Sequence, residues 1–162
     1  MKNILFVCTG NTCRSSMAKV LLRDILAKRG LAGYEVDSAG LAASPGEKAS
    51  PKAILAVEEL GLDLDSHRAK QLTAELLLWA DLVLTMTAGH KKVILEIMPK
   101  MKNKVYTLKE WAGNQMEDFD VVDPYGQSEE VYCSCRDELN KFLAKAADKL
   151  EEVNRSEDSN CQ

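Results

Sequence analysis

The stretch from Ile4 to Ser15 limits what this chain can fold into more than any other part of it. Ile4-Leu5-Phe6-Val7 is an apolar run of strand length, rich in β-formers. It ends at Cys8, and Thr9-Gly10-Asn11 are turn residues, two of which tolerate a positive φ. After Ser15 the spacing becomes helical, with Met17, Leu21 and Ile25 on one face and Gly30 as a C-terminal stop. The predicted order is buried strand, tight loop, helix. In that arrangement the loop N–H groups and the helix N-terminus converge on one point, which favours an anion. Cys8 opens the loop and Arg14 closes it. A thiol aimed into N–H dipoles beside a guanidinium ionises readily, and the thiolate is a nucleophile. The Arg14 fork can grip two oxygens of a phosphoryl group. Ser15 can hydrogen-bond the sulfur and help it leave in a second step.

The run Cys8-Thr9-Gly10-Asn11-Thr12-Cys13-Arg14-Ser15 resembles the low-molecular-weight protein tyrosine phosphatase family, and within it the bacterial protein-arginine phosphatase branch. The resemblance continues through Ser38-Ala39-Gly40, Ser66-His67-Arg68-Ala69, the segment from Ala80 to Met86, and Asp123-Pro124-Tyr125-Gly126, so it covers nearly the whole chain. It implies a three-layer α/β/α fold with a four-stranded parallel sheet in the order 2-1-3-4. Two departures are visible. Ser16 stands where the family commonly has proline, at some cost in preorganisation of the first helical turn. Lys19 replaces a common glutamate, a change that reads as one of helix surface and not of chemistry.

A length of 162 residues predicts one domain with room for a core, placed here at residues 1–153, with a polar, disordered tail over 154–162. A net charge of −4 argues against general nucleic-acid binding. No apolar run approaches the length of a membrane span, and Ile4–Val7 is too short for a signal-peptide core. The expectation is a cytoplasmic monomer acting on phosphorylated proteins, with no nucleic-acid or membrane partner. The five cysteines are odd in number and not spaced as a disulfide scaffold. Cys133 and Cys135 read as ordinary reduced thiols on different helix faces, and no metal is expected, because neither histidine sits near a cysteine pair.

Beyond the first helix, Tyr34-Glu35-Val36-Asp37 alternates like an edge strand, and Leu82-Val83-Leu84 is continuous like a central one. Val105 to Leu108 reads as the last strand, followed by irregular chain with a short helix near Trp111. Ser50, Thr73, Thr87 and Ser128 read as N-caps of four helices, the last carrying a stripe of Val131, Cys135, Leu139, Phe142, Ala146, Leu150 and Val153. Ile54, Val57 and Leu60 mark the buried face of the helix after Ser50. Strands alternating with helices give a parallel α/β sheet, whose ligands bind outside the carboxyl ends of the strands. Cys8 lies at such an end. His67 by itself reads as part of a solvated turn; the resemblance implies that it holds the phosphate loop. His90 reads as a surface residue with no role.

The expected reaction has two steps. Cys8 attacks phosphorus, and water then cleaves the cysteinyl-phosphate. A basic leaving atom needs a proton, which Asp123 can donate before acting as base on the water. Pro124 restricts Asp123 to an extended conformation suited to a carboxylate over a pocket. An isolated Asp-Pro is a common turn starter; the resemblance is what selects Asp123, with Asp120 as the fallback. Thr9, Gly10, Asn11, Thr12, Cys13 and Ser15 would form the phosphate cradle, with Tyr125 on the wall, and no cofactor is needed because Arg14 and the N–H ring neutralise the phosphoryl charge. Cys13 reads equally as a core thiol or as a resolving thiol for oxidised Cys8. The resemblance makes phosphoarginine the expected substrate. Thr12 stands where tyrosine-selective relatives carry a branched aliphatic residue, and the loop from Leu41 to Ala49 has no aromatic to stack on a phenol. Phosphotyrosine is the alternative. Thioredoxin-coupled arsenate reductase is disfavoured, since the region from Asp81 to Met98 lacks cysteine. A silent phosphate-binding module is also disfavoured, because Cys8, Arg14 and Asp123 are all present.

Overall fold

The structure is a computed structural model and describes residues 2–115 and 117–160. β1 (Asn3–Cys8), β2 (Glu35–Gly40), β3 (Leu82–Thr85) and β4 (Val105–Thr107) form a four-stranded parallel sheet in the order β2-β1-β3-β4. β1 is paired on both sides and faces helices on both surfaces, so Ile4, Leu5, Phe6 and Val7 are all fully buried. Alternate residues serve opposite layers. Ile4 and Phe6 point into the core built with α1 (Arg14–Lys28), α2 (Pro51–Glu58) and α6 (Glu129–Ser159). Leu5 and Val7 meet Leu77 of α3 (Ala74–Trp79) and Ile94 of α4 (Ala88–Ile97). A short α5 (Leu108–Trp111) follows β4 directly, closed by a capping box between Thr107 and Glu110; Leu108 therefore begins a helix and does not end the strand.

Cys8 pairs with Gly40 across the β1–β2 ladder. A Cβ at Gly40 would stand 2.5 Å from the Thr9 carbonyl oxygen, so the absence of a side chain there lets the loop after β1 fold back over β2. Thr73, Thr87 and Ser128 cap their helices through side-chain oxygens, as their positions predict. Ser50 occupies the N-cap position of α2, but its hydroxyl reaches the Tyr132 hydroxyl (3.1 Å) and not the helix backbone.

The helix faces differ from the sequence stripes where a helix meets two neighbours. α6 packs on both α1 and α2, so its buried face widens to take in Tyr132, Arg136, Leu143 and Ala147, while Val131 and Val153 fall at its margins. α2 buries Ala53, Ala56 and Val57 and leaves Leu60 exposed. α6 also continues to Ser159, through part of the segment expected to be disordered. An Arg155–Glu151 pair one turn apart and the Ser156 and Ser159 hydroxyls bonded to preceding carbonyls support this last stretch. The end of the expected tail, including Cys161, lies outside the described residues.

Candidate active site

The loop from Thr9 to Cys13 joins the carboxyl end of β1 to the N-terminus of α1, and one residue holds its shape. Asn11 is fully buried with φ at 59°. Its side chain donates to the Ser15 and Ser38 hydroxyl oxygens (2.9 Å each) and accepts from the Lys70 N–H (3.0 Å). Its own N–H donates to the Cys8 Sγ (3.3 Å), and its carbonyl accepts from His67 Nε2 (2.7 Å). The Lys19 ammonium lies 2.8 Å from His67 Nδ1. An ammonium can only donate, so Nδ1 accepts and the proton sits on Nε2. Burial, then the Lys19 charge, push the His67 pKa down to about 4, and burial pushes Lys19 down to about 8. Lys19, which looks like a surface change in the sequence, thus props the underside of the loop.

Cys8 Sγ also lies 2.8 Å from the Ser15 Oγ. An N–H and a hydroxyl therefore face the sulfur, an arrangement that stabilises negative charge on it. Arg14 is buried, and one guanidinium nitrogen donates to the Val121 carbonyl (3.0 Å), which aims the fork. Another lies 3.5 Å from the Asp123 carboxylate. Asp123 accepts from the Tyr125 N–H (3.1 Å), a tight turn over Pro124 that leaves the carboxylate half exposed at the mouth. Asp120 instead accepts from the Ala88 N–H at the start of α4 (2.8 Å) and does not line the pocket.

The resulting cavity has a volume of about 250 Å³. Its walls bring together Cys8, Thr9, Gly10, Thr12, Cys13, Arg14, Asp123 and Tyr125; Asn11 and Ser15 lie beneath. Two further residues escape sequence reasoning. Glu47, exposed in the loop after β2, also lines the cavity and carries no signal beyond its charge. His90 is buried, not superficial, with its Nε2 3.0 Å from the Thr9 Oγ1 and its Nδ1 without a hydrogen-bond partner among the described residues. Burial and the Arg14 charge push its pKa down to about 4. The clue was positional: Thr85 pairs with Val7, so the helix capped by Thr87 starts beside the Cys8 loop.

Cys13 is buried against the Tyr132 hydroxyl (3.3 Å), and desolvation pushes its thiol up. Ser16 ties the first turn by donating to the Cys13 carbonyl (2.9 Å), a substitute for the rigidity a proline would supply.

The family model for the low molecular weight phosphotyrosine protein phosphatases matches residues 3–157. This chain belongs to that family. Among its relatives, the protein-arginine-phosphatase of Geobacillus stearothermophilus is 45% identical over 148 residues, 91% of this chain and 95% of the relative. The protein-arginine-phosphatase of Bacillus subtilis is 44% identical over 153 residues, 94% and 99% of the two chains. A solved structure of the YwlE arginine phosphatase, a mutant with a phosphorylated active-site serine, superposes with a TM-score of 0.88 at 42% identity, covering 94% of this chain and 98% of that one. For this low-molecular-weight phosphatase, the parallel sheet and its 2-1-3-4 order agree with the fold that the resemblance implies.

Proposed function

We propose that the chain is a protein-arginine phosphatase that works through Cys8, Arg14 and Asp123. The observation that carries the reading is the pocket itself: a sulfur at the end of a buried strand, a loop of N–H donors, a guanidinium and a half-exposed carboxylate all border one cavity. The substrate phosphoryl group sits in the loop, its oxygens taken by N–H groups and the Arg14 fork. Cys8 Sγ forms a bond to phosphorus as the phosphorus–nitrogen bond breaks. Asp123 gives its proton to the leaving guanidine nitrogen. Water then attacks phosphorus, Asp123 takes its proton, and the sulfur–phosphorus bond breaks, with Ser15 and the Asn11 N–H receiving the charge on sulfur.

Phosphoarginine is favoured over phosphotyrosine by the named activity of the two relatives at 44% and 45% identity and by the polar walls of the pocket, Thr12 and Asp123. A planar cationic guanidino group suits such walls better than a phenyl ring. The substrates are phosphorylated proteins. The test compares turnover of phosphoarginine and phosphotyrosine peptides at matched concentrations. A higher kcat/KM for phosphoarginine supports the reading. A preference for phosphotyrosine returns the chain to the tyrosine-directed majority of its family.

A further inference from the structure

A cavity of about 760 Å³ lies behind the phosphate loop, between α1, β2 and the segment from residue 63 to 70. Cys8, Arg14 and Asp123 do not line it. Four cations do: Lys70, which is paired with Asp37, and three that each rest on a neutral acceptor. Lys19 donates to His67 Nδ1, Arg23 to the Val36 carbonyl, and Arg68 to the carbonyls of Asp65 and His67. Among the described residues none of the three forms an ion pair. The nearby acids are otherwise engaged or peripheral: Asp37 is paired with Lys70 (2.6 Å), Asp63 accepts from the Asp65 N–H, and Glu35 is exposed. In a chain of net charge −4, four cations against three carboxylates around one concavity, with three of the cations in no ion pair among the described residues, are a local feature, not a general basicity.

We propose that this cavity is a second anion site, for inorganic phosphate or a small phosphomonoester, and that its occupancy is felt at the catalytic loop through Lys19 and His67. Guanidinium forks and an ammonium suit a tetrahedral phosphoryl group. The volume, about three times that of the catalytic pocket, and the Tyr34 and Trp79 rings leave room for an organic part. The route to the sulfur is short. An anion draws the Lys19 ammonium away from His67 Nδ1, His67 Nε2 holds the Asn11 carbonyl, and the Asn11 N–H holds Cys8 Sγ. The proposal does not depend on which phosphorylated side chain the enzyme prefers.

The test titrates the protein with inorganic phosphate while following backbone amide shifts. The expected result is two saturable sets with different Kd values, one at Thr9 to Ser15 and one at Lys19, Arg23 and Arg68. Arg23→Gln with Arg68→Gln should weaken the second Kd by roughly tenfold or more and leave the first unchanged, which also shows that the variant is folded. Inorganic phosphate competes with substrate in the catalytic pocket, so at saturating aryl phosphate it alters kcat only through the second site. That change is expected in the wild type and lost in Lys19→Gln. Phenylphosphonate in place of phosphate distinguishes the two sources: tighter binding at the second set points to a phosphomonoester, equal binding to free phosphate. A single Kd shared by both sets and unmoved by the double variant would overturn the site. A kcat indifferent to phosphate, or equally responsive in Lys19→Gln, would overturn the coupling.

Discussion

Asn11→Ala is the substitution that most directly tests how the catalytic loop is built. It removes three side-chain hydrogen bonds, two buried ones to Ser15 and Ser38 and a half-buried one from the Lys70 N–H. At about 1 kcal/mol each this is roughly 3 kcal/mol, and the stranded partners are themselves buried or half-buried. It also places a Cβ without compensating bonds at φ 59°, which adds about 1 kcal/mol of strain. The expected loss is about 4 kcal/mol, a large fraction of the roughly 5–15 kcal/mol typical of a domain. Urea unfolding followed by circular dichroism reads it as a lower midpoint at unchanged slope. Turnover should fall as well, because the Asn11 N–H and the Ser15 hydroxyl that face Cys8 Sγ lose their support. Asn11→Gly separates the two contributions. Glycine accepts the positive φ, so it should recover the strain component while leaving turnover as low as in the alanine variant. If Asn11→Ala costs less than about 1 kcal/mol, or if turnover survives, Asn11 is not the keystone of the loop and the network reasoning fails.

Cys8→Ser and Arg14→Lys should each abolish aryl phosphate turnover while leaving the unfolding midpoint near that of the wild type; a Cys8→Ser protein with near wild-type rate would falsify the covalent mechanism. Asp123→Asn should lower kcat by roughly 10²–10⁴ for leaving groups that need a proton, whereas Asp120→Asn should act mainly on stability through the start of α4, and the reverse pattern would reassign the acid. Thr12→Ile and Glu47→Gln should each lower the ratio of phosphoarginine to phosphotyrosine kcat/KM by roughly tenfold, and a ratio unmoved in both variants means that these two walls do not discriminate. His67 and His90 both have pKa values pushed from 6.5 down to about 4, so on acidification the unfolded chain takes up their protons first. Their contribution is therefore complete above about pH 6.5 and is lost as pH falls towards 4, by at most roughly 3 kcal/mol each. Urea midpoints at pH 7 and pH 5 should differ less in a His67→Gln, His90→Gln variant than in the wild type, and equal differences would refute the assignment.

The candidate site is legible in the sequence in so far as it is local. A strand, a tight loop and a helix N-terminus must meet within a few residues, so Cys8, Arg14 and Ser15 share a site whatever packs around them. Caps at Thr73, Thr87 and Ser128 are legible for the same reason: each bond joins residues three apart. Asp123 is different. Asp-Pro is only a turn by itself, and the family resemblance, not its spacing, singled it out from Asp120. The tertiary structure sends Asp120 to the α4 backbone and Asp123 towards Arg14, which supports the proposed assignment. Helix faces are wider than the sequence stripe where one helix serves two neighbours, as with Tyr132 and Arg136 of α6, because a single periodic stripe describes packing against one surface only. His67 and His90 reach the loop, and Glu47 the cavity, from elements far away in the chain. No spacing rule links Lys19 to His67, or His90 to Thr9; only the parallel β-sheet, which brings the ends of β1 and β3 side by side and turns α1 across the underside of the loop, decides that they touch.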